Sequence, residues 1–267
     1  MDDDQFRKLL EYLDYSWSGY RKVRKGVKKR IQRHMQQLYC RDISAYLMVL
    51  ERQPARRQEC ELLMTVSISR FFRDRRLWEM IRSHWLPDLI ANGLPALKVW
   101  SAGCANGEEV YSFRIIWEHL GQQAAHIAAL DLLGTDRHPL YLERARSGIY
   151  NRSSLKEVTP EWREIYFERR KGSRQFKIKD HLKSFIRWEN HHLLTGPPGR
   201  DFNIICMRNN VLTYCRKAAQ KKALSGILDS LSPGGLLIIG CHERLPFRPA
   251  ALKEVDKFSY VFQNCMP

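Results

Sequence analysis

The run Lys98-Val99-Trp100-Ser101-Ala102-Gly103-Cys104-Ala105-Asn106-Gly107-Glu108-Glu109-Val110-Tyr111 constrains the fold more than any other part of the chain. Val99 and Trp100 suit a buried strand. Gly103 and Gly107 permit positive φ and a close backbone approach that a side chain would block. Beyond them Val110, Phe113, Ile115, Ile116, Trp117 and Leu120 recur at roughly helical spacing. A strand that feeds a helix through glycines is the ligand-binding turn of an open α/β sheet.

The glycine spacing alone fits equally a turn that only connects strand and helix. It is G-x-x-x-G rather than the dinucleotide fingerprint G-x-G-x-x-G. The paired acids Glu108 and Glu109 narrow the choice. Acids suit the positive end of a helix dipole but repel a pyrophosphate placed there. They suit a ligand with hydroxyls and an ammonium group. S-adenosylmethionine carries a ribose diol, an α-ammonium and a sulfonium, and no phosphate.

Around this turn the texture is α/β. Residues 97–101, 130–134, 202–207 and 236–240 read as strands with helices between them, and 258–262 as a last strand. Asp136 closes the second strand, where an acid can accept both ribose hydroxyls. Arg208-Asn209-Asn210 follows the third, at the carboxyl end where open sheets bind ligands. Ser232-Pro233-Gly234-Gly235 reads as a turn before the fourth. Residues 151–194 break the rhythm. Thr159-Pro160-Glu161 starts a short helix, and 176–179 and 185–188 alternate like small strands about a Lys171-Gly172-Ser173 turn. This is the pattern of a small inserted antiparallel β-subdomain.

Residues 1–90 read as a helical N-terminal domain, and 91–267 as the α/β domain that holds the insertion. Phe6, Leu9, Leu10 and Leu13 share one face of a first helix. Eight of the thirteen residues over 21–33 are basic and none is acidic. Val23, Val27, Ile31 and Met35 recur every four, so the run is an amphipathic helix with a positive outer face. Such a face is either solvated or set against an anionic partner, and like charges this dense favour the partner. Ser69 is placed to cap a helix carrying Phe71, Phe72 and Trp78 inward.

The chain has 267 residues, 44% of them hydrophobic, enough for one sizeable core and a smaller domain. No apolar run reaches the length of a membrane span, and the acidic start Met1-Asp2-Asp3-Asp4 is not that of a signal peptide. Seven cysteines without C-x-x-C spacing point to a reducing cytoplasm rather than to disulfides or structural zinc. Cys104, Cys206 and Cys241 read as small core residues. His191 and His192 adjoin without i, i+4 spacing, so no metal site is expected. His242 and Glu243 end a strand near the expected pocket. The net charge of +16 attracts polyanions without choosing among them.

Taken in order, Ser-x-Ser-Arg-Phe-Phe-Arg, Trp-Ser-Ala-Gly-Cys-Ala-Asn-Gly-Glu-Glu-Val-Tyr-Ser, Ala-Arg-Ser-Gly-Ile-Tyr, Arg-Asn-Asn and Pro-Gly-Gly-Leu-Leu-Ile-Ile-Gly resemble the CheR-type glutamate methyltransferases of chemotaxis receptors. The resemblance runs from about Phe6 to Phe262. It implies a Rossmann-like, S-adenosylmethionine-dependent domain with a helical N-terminal domain and an inserted β-subdomain. It also implies methyl transfer to glutamate carboxylates of a chemotaxis receptor or related signalling protein. The family's cofactor-lining asparagine, threonine and arginine fall on Ser67, Ser69 and Arg73. Its cofactor glutamate falls on Glu109 and its ribose-side acid on Asp136, beside the turn glycine Gly103. Its asparagine after the insertion falls on His192, followed by Leu193, and its Arg-Asn pair on Arg208 and Asn209. One extra residue, Asn210, precedes Val-Leu-Thr-Tyr, which bears on where Tyr214 stands.

Carboxylate methylation needs little acid–base help, because a glutamate is ionised at neutral pH. It needs alignment and exclusion of water. By resemblance Arg73 holds the acceptor carboxylate, with Tyr214 beside it. Acidic receptor helices would dock on the basic helix 21–33 of a cytoplasmic monomer that does not insert in membranes. Two other readings stay open. A nucleic-acid methyltransferase suits the charge and the pair Trp17 and Tyr20 beside the basic run, although no Asn-Pro-Pro-Tyr motif occurs. A cofactor-binding scaffold without turnover suits the departures at Ser67, Ser69 and His192.

Overall fold

A computed structural model describes residues 1–91, 93, 95–122, 128–255 and 258–266. Helices α1 (Asp3–Tyr12), α2 (Trp17–Tyr20), α3 (Arg24–Gln37), α4 (Ile43–Arg52), α5 (Pro54–Leu63), α6 (Arg75–Met80) and α7 (Leu86–Ala91) precede the first strand. Then follow β1 (Ala96–Ala102), α8 (Glu108–Gly121), β2 (Ala129–Asp136), α9 (Pro139–Ser147), β3 (Ile149–Asn151), α10 (Pro160–Tyr166), β4 (Phe167–Arg169), β5 (Gln175–Ile178) and β6 (Ile186–Asn190). The chain closes with β7 (Phe202–Met207), α11 (Val211–Tyr214), α12 (Lys217–Leu228), β8 (Leu231–Ile239), β9 (Leu252–Val255) and β10 (Phe258–Asn264).

The main sheet has the order β6-β2-β1-β7-β8-β10-β9. Its first five strands are parallel, while β10 runs antiparallel to β8 and to β9. The chain leaves β1 toward β2 on one side and later adds β7 on the other. That reversal leaves a crevice beyond the carboxyl ends of β1 and β7. Alternate residues of the strands feed two cores, one on each face. Leu97, Val99, Ile204 and Ile238 enter one, and Trp100, Ala102, Ile205 and Ile239 the other.

Two readings of the sequence change here. Residues 185–188 were expected in the small inserted sheet. Instead β6 pairs in parallel with β2, from Leu132↔Ile186 to Asp136↔Asn190, at the edge of the main sheet. The small sheet is β3-β5-β4. Burial decides the choice: Trp188 lies over Gly134, where an added Cβ would come 2.7 Å from its ring. The expected turn at Ser232-Pro233-Gly234-Gly235 lies inside β8, as a register irregularity opposite β7. The strand β9 was not anticipated.

The helical region has its own core of Phe6, Leu9, Leu10, Val27, Ile31, Tyr46 and Leu50. Asp2 starts α1 with a capping box closed by Gln5. The basic run begins as a turn at 21–23 and continues as α3. Val27, Ile31 and Met35 are buried, and Lys22, Lys25, Lys29 and Arg33 are exposed. Acids absent from the run itself arrive from α1. Asp3 accepts from Arg24 at 3.0 Å and from Lys28 at 2.9 Å. Arg30 is spent on the Leu63 and Thr65 carbonyls. The free positive face is thus narrower than the composition implies.

The short helix α2 ties this region to the α/β sheet. The Ser16 amide donates to the Tyr214 carbonyl at 2.8 Å, and the Tyr20 and Tyr214 rings lie 4.9 Å apart. A Cβ on Gly19 would collide with the Thr213 carbonyl oxygen, so α2 can seat on α11 only with glycine there.

Candidate active site

A cavity of about 440 Å³ opens beyond the carboxyl ends of β1, β2 and β7 and is roofed by the helical region. Ser67, Ser69, Arg73, Gly103, Glu109, Asp136, His192, Leu193, Arg208, Asn209 and Tyr214 all stand on its wall. Residues from five separate stretches of chain thus meet around one space.

The glycine turn forms one side. Gly103 and Gly107 both have φ +87°. Four amides of the turn are already taken. Gly103 and Cys104 donate to the Thr135 carbonyl at 2.8 Å each, Gly107 to the Cys104 carbonyl at 3.0 Å, and Ala105 to Asp136 at 2.9 Å. A pyrophosphate needs such N–H groups free. The turn instead presents a carboxylate on each side, Glu109 and Asp136. These acceptors fit a ligand of hydroxyls and ammonium such as S-adenosylmethionine.

The paired acids separate. Glu109 faces the cavity, accepting from Ser101 Oγ at 2.7 Å and from Arg208 Nη1 at 2.9 Å. Glu108 is only 2% exposed and turns behind the wall, where Ser154 Oγ donates to it at 3.2 Å. Burial pushes its carboxyl above the usual carboxylate range, against donation from Ser69 and Ser154. Glu108 is therefore an anchor, not a cavity acid, and helical geometry explains the split. Consecutive residues point about 100° apart on a helix, so they cannot share one face.

Asp136 is also buried. Its oxygens accept the amides of Ala105 and His138, each at 2.9 Å, and burial raises its pKa despite these donors. Each oxygen keeps a second lone pair directed elsewhere.

The segment from Ser67 to Asp74 departs from the expected helix. Residues 65–70 form no helix or strand, and α6 starts only at Arg75, after Asp74 in the left-handed region. Ser69 caps nothing. It and Ser67 instead fasten the segment to the glycine turn, through Glu108 and through Asn106 Nδ2 at 3.2 Å. The buried rings of Phe71 and Phe72 anchor the rest, Phe71 against Tyr150 and Phe167, and Phe72 against Trp78 and Trp162. Arg73 then reaches back to the Ile68 carbonyl at 2.9 Å.

Arg208 is the buried cation of the site. It bonds Glu109 and Asp74 together, and its side chain is 7% exposed. Asn210 is fixed locally. Its Nδ2 donates to the Ala102 carbonyl at 2.5 Å, and its Oδ1 accepts the Val211 amide at 2.6 Å, starting α11. Tyr214, at the end of α11, stands on the cavity wall. Burial raises its pKa, and the neighbouring Arg73 opposes that rise. Glu243 holds the same loop from behind, accepting from the Asn209 amide at 2.9 Å, the Gly240 amide at 2.7 Å and Thr213 Oγ1 at 2.5 Å. Its partners are backbone and loop groups, so it serves as a brace.

The sequence reading missed Tyr15, Glu61 and Arg137, which also line the cavity. Arg137 ion-pairs with Glu61 and donates to Tyr15 Oη at 3.1 Å. The position of Arg137 directly after Asp136 was a usable signal; nothing in the sequence announced its partners. Cys241, read as core, is exposed and lies beside Asp74. Among the described residues no group of three or more His, Cys, Asp and Glu is arranged to hold a metal ion, and no helix is long and apolar enough to cross a membrane.

Residues 67–261 match the family model described as CheR methyltransferase, SAM binding domain. The chain is 32% identical over 201 residues to a chemotaxis protein methyltransferase of Listeria innocua, covering 74% of each chain. It is likewise 32% identical over 186 residues to a chemotaxis protein methyltransferase of Vibrio anguillarum, covering 68% of this chain and 66% of that one.

Proposed function

The chain belongs to the CheR methyltransferase family, and from that premise we propose that it methylates glutamate side-chain carboxylates of a chemotaxis receptor or related signalling protein. S-adenosylmethionine supplies a methyl group already activated on a positively charged sulfur. The acceptor carboxylate is ionised at neutral pH and needs no base. What remains for the protein is to align the acceptor and to keep water out.

One observation carries this reading. Arg73 and Tyr214, from segments far apart in sequence, stand close enough on one cavity wall for the Arg73 charge to act on the Tyr214 hydroxyl. A guanidinium holds a carboxylate through paired N–H donors, and the phenol beside it supplies a further donor. Glu109 and Asp136 suit the ammonium and ribose hydroxyls of the cofactor. Ser67, Ser69, Gly103, His192, Leu193, Arg208 and Asn209 complete the wall around it. The Tyr15, Tyr20 and Tyr214 rings pack in series at tilted angles, 5.7 Å and 4.9 Å apart, and put apolar surface at that end of the cavity.

The partner surface is the exposed side of the basic run at 21–33, the turn at 21–23 and α3. Lys22, Lys25, Lys29 and Arg33 face solvent there. Acidic helices would be drawn to it, with an encounter rate that falls as salt rises. A cytoplasmic setting, where receptor signalling helices lie, agrees with the thiol state of the seven cysteines.

The test offers methyl-labelled S-adenosylmethionine with receptor cytoplasmic helices in one tube and RNA in another. Base-labile label on the receptor protein is the expected result. Label in RNA, or cofactor binding without transfer to either, overturns the proposal.

A further inference from the structure

Ser67, Ile68 and Ser69 all line the cavity, and their side chains divide. Ser67 Oγ accepts from Asn106 Nδ2 at 3.2 Å, and Ser69 donates to Glu108, so both serines are tied back to the glycine turn. Ile68 between them is 64% exposed. Of the large apolar residues left exposed among the described residues, it alone stands on the cavity wall. A scattered exposed apolar residue is ordinary on a protein surface. One at the mouth of a site that must admit a protein side chain is placed to meet what enters.

Ile68 is fixed relative to the residue that faces the acceptor. Its carbonyl accepts from Arg73 Nη1 at 2.9 Å. Trp78 Nε1 donates to the Arg73 carbonyl at 2.8 Å, and the Trp78 ring packs edge-on against Phe72 and Phe113. The apolar side chain and the guanidinium are thus two ends of one unit. Ordinary bond lengths put Ile68 Cβ within about 6–7 Å of that guanidinium nitrogen. Side chains one turn apart on a helix are separated by about 5–6 Å. A helix whose glutamate meets Arg73 therefore brings the side chain one turn before or after it over Ile68. The surroundings are polar. Arg70 lines the cavity too, its side chain 40% exposed and 3.9 Å from Glu157. An apolar spot rimmed by polar groups is the arrangement of interface contacts that carry affinity.

We propose that Ile68 selects which glutamate is methylated, by packing against an apolar side chain one helical turn from the acceptor. The assignment rests on the reading of Arg73 as the group that holds the acceptor carboxylate. Cations on the rim draw acidic helices without telling one glutamate from its neighbours. An apolar contact at a fixed distance from the guanidinium does tell them apart, because a polar residue in the same place is desolvated against a hydrocarbon surface.

The experiment uses versions of a receptor cytoplasmic helix that keep a single glutamate. The residue one turn before it, one turn after it, or both are set to leucine, and in the reference version both are glutamine. Transfer from methyl-labelled S-adenosylmethionine is measured as kcat/KM. With the native chain, leucine on one side should raise kcat/KM about five- to thirtyfold over the reference, the worth of covering most of an isoleucine side chain. That ratio should fall to near one in Ile68→Ser and persist in Ile68→Leu. The calorimetric Kd for S-adenosylhomocysteine should match the native chain in both variants. Equal use of all versions by the native chain, a leucine preference that survives in Ile68→Ser, or a loss of cofactor affinity in Ile68→Ser overturns the assignment. Failure of the native chain to methylate any version, or the unaltered receptor helix, overturns the glutamate reading itself, and the assignment with it.

Discussion

Arg208 sets its guanidinium 2.9 Å from the Glu109 carboxylate and carries its other nitrogen onto Asp74. One cation thus joins the end of β7, the start of α8 and the segment leading into α6. These three pieces make up much of the cavity wall.

Removing that cation leaves two largely buried carboxylates facing each other, since Glu109 is 15% and Asp74 25% exposed. Arg208→Met should lower unfolding free energy by about 3–5 kcal/mol, measured as a shift of the urea midpoint. Arg208→Lys should recover only part, because an ammonium cannot span both carboxylates as a planar fork does.

Among the described residues Arg73 makes no ion pair with these acids; its guanidinium donates to the Ile68 carbonyl. Arg73→Ala should therefore leave calorimetric affinity for S-adenosylhomocysteine within about threefold while lowering turnover about 100-fold, the scale of a lost positioning contact. Normal methylation by this variant contradicts its role toward the acceptor.

Charge reversal along the basic run at 21–33 separates docking from folding. Lys22→Glu, Lys25→Glu and Lys29→Glu together should lower kcat/KM for receptor helices by about tenfold or more at low salt, and much less at high salt. Cofactor affinity should stay unchanged. Lys28 differs because it holds Asp3 at 2.9 Å. Lys28→Glu should also lower the melting temperature.

Gly19 admits no side chain against the Thr213 carbonyl. Gly19→Ala should cost about 1–3 kcal/mol by overpacking and push α2 off α11. Turnover should fall with it, because Tyr214 is the last residue of α11. A variant of native stability and native turnover would show that this contact relaxes freely.

Glu108 bears on pH dependence. Its pKa is raised in the folded chain by burial, so the folded state holds the proton more tightly than the unfolded state does. The stability this confers is complete below the ordinary glutamate range and is lost as the pH rises through the raised value. Glu108→Gln lacks that loss. Its urea midpoint should match the native chain near pH 4, exceed it as the pH rises through the raised value, and keep a constant lead above that. A difference that is the same from pH 4 upward contradicts the assignment.

Much of the fold was legible because its signals are local. Two glycines, a buried strand before them and an apolar helix face after them define the turn at 98–111, and Asp136 follows from its place at a strand end. Signals that depend on distant partners misled or were silent. Residues 185–188 alternate like any small strand; only the fit of Trp188 over Gly134 puts them beside β2. Ser69 resembles a helix cap, but the segment holding the buried Phe71 and Phe72 stays irregular, with Phe72 and Asp74 at positive φ, and the helix starts only at Arg75.

The amino-acid order by itself determined the strand–turn–helix unit, the helical region with its basic face, and the family's ordered motifs, because each depends on neighbours a few residues apart. The tertiary structure decided that Glu109 faces the cavity while Glu108 does not, that Asn210 bonds back to the Ala102 carbonyl, and that Arg208 joins two acids. Those outcomes turn on side-chain direction and on pairings across 46 to 134 positions. Sequence spacing carries no information about which buried charge will find which partner; packing settles that, because a buried charge left alone costs more than the fold can bear.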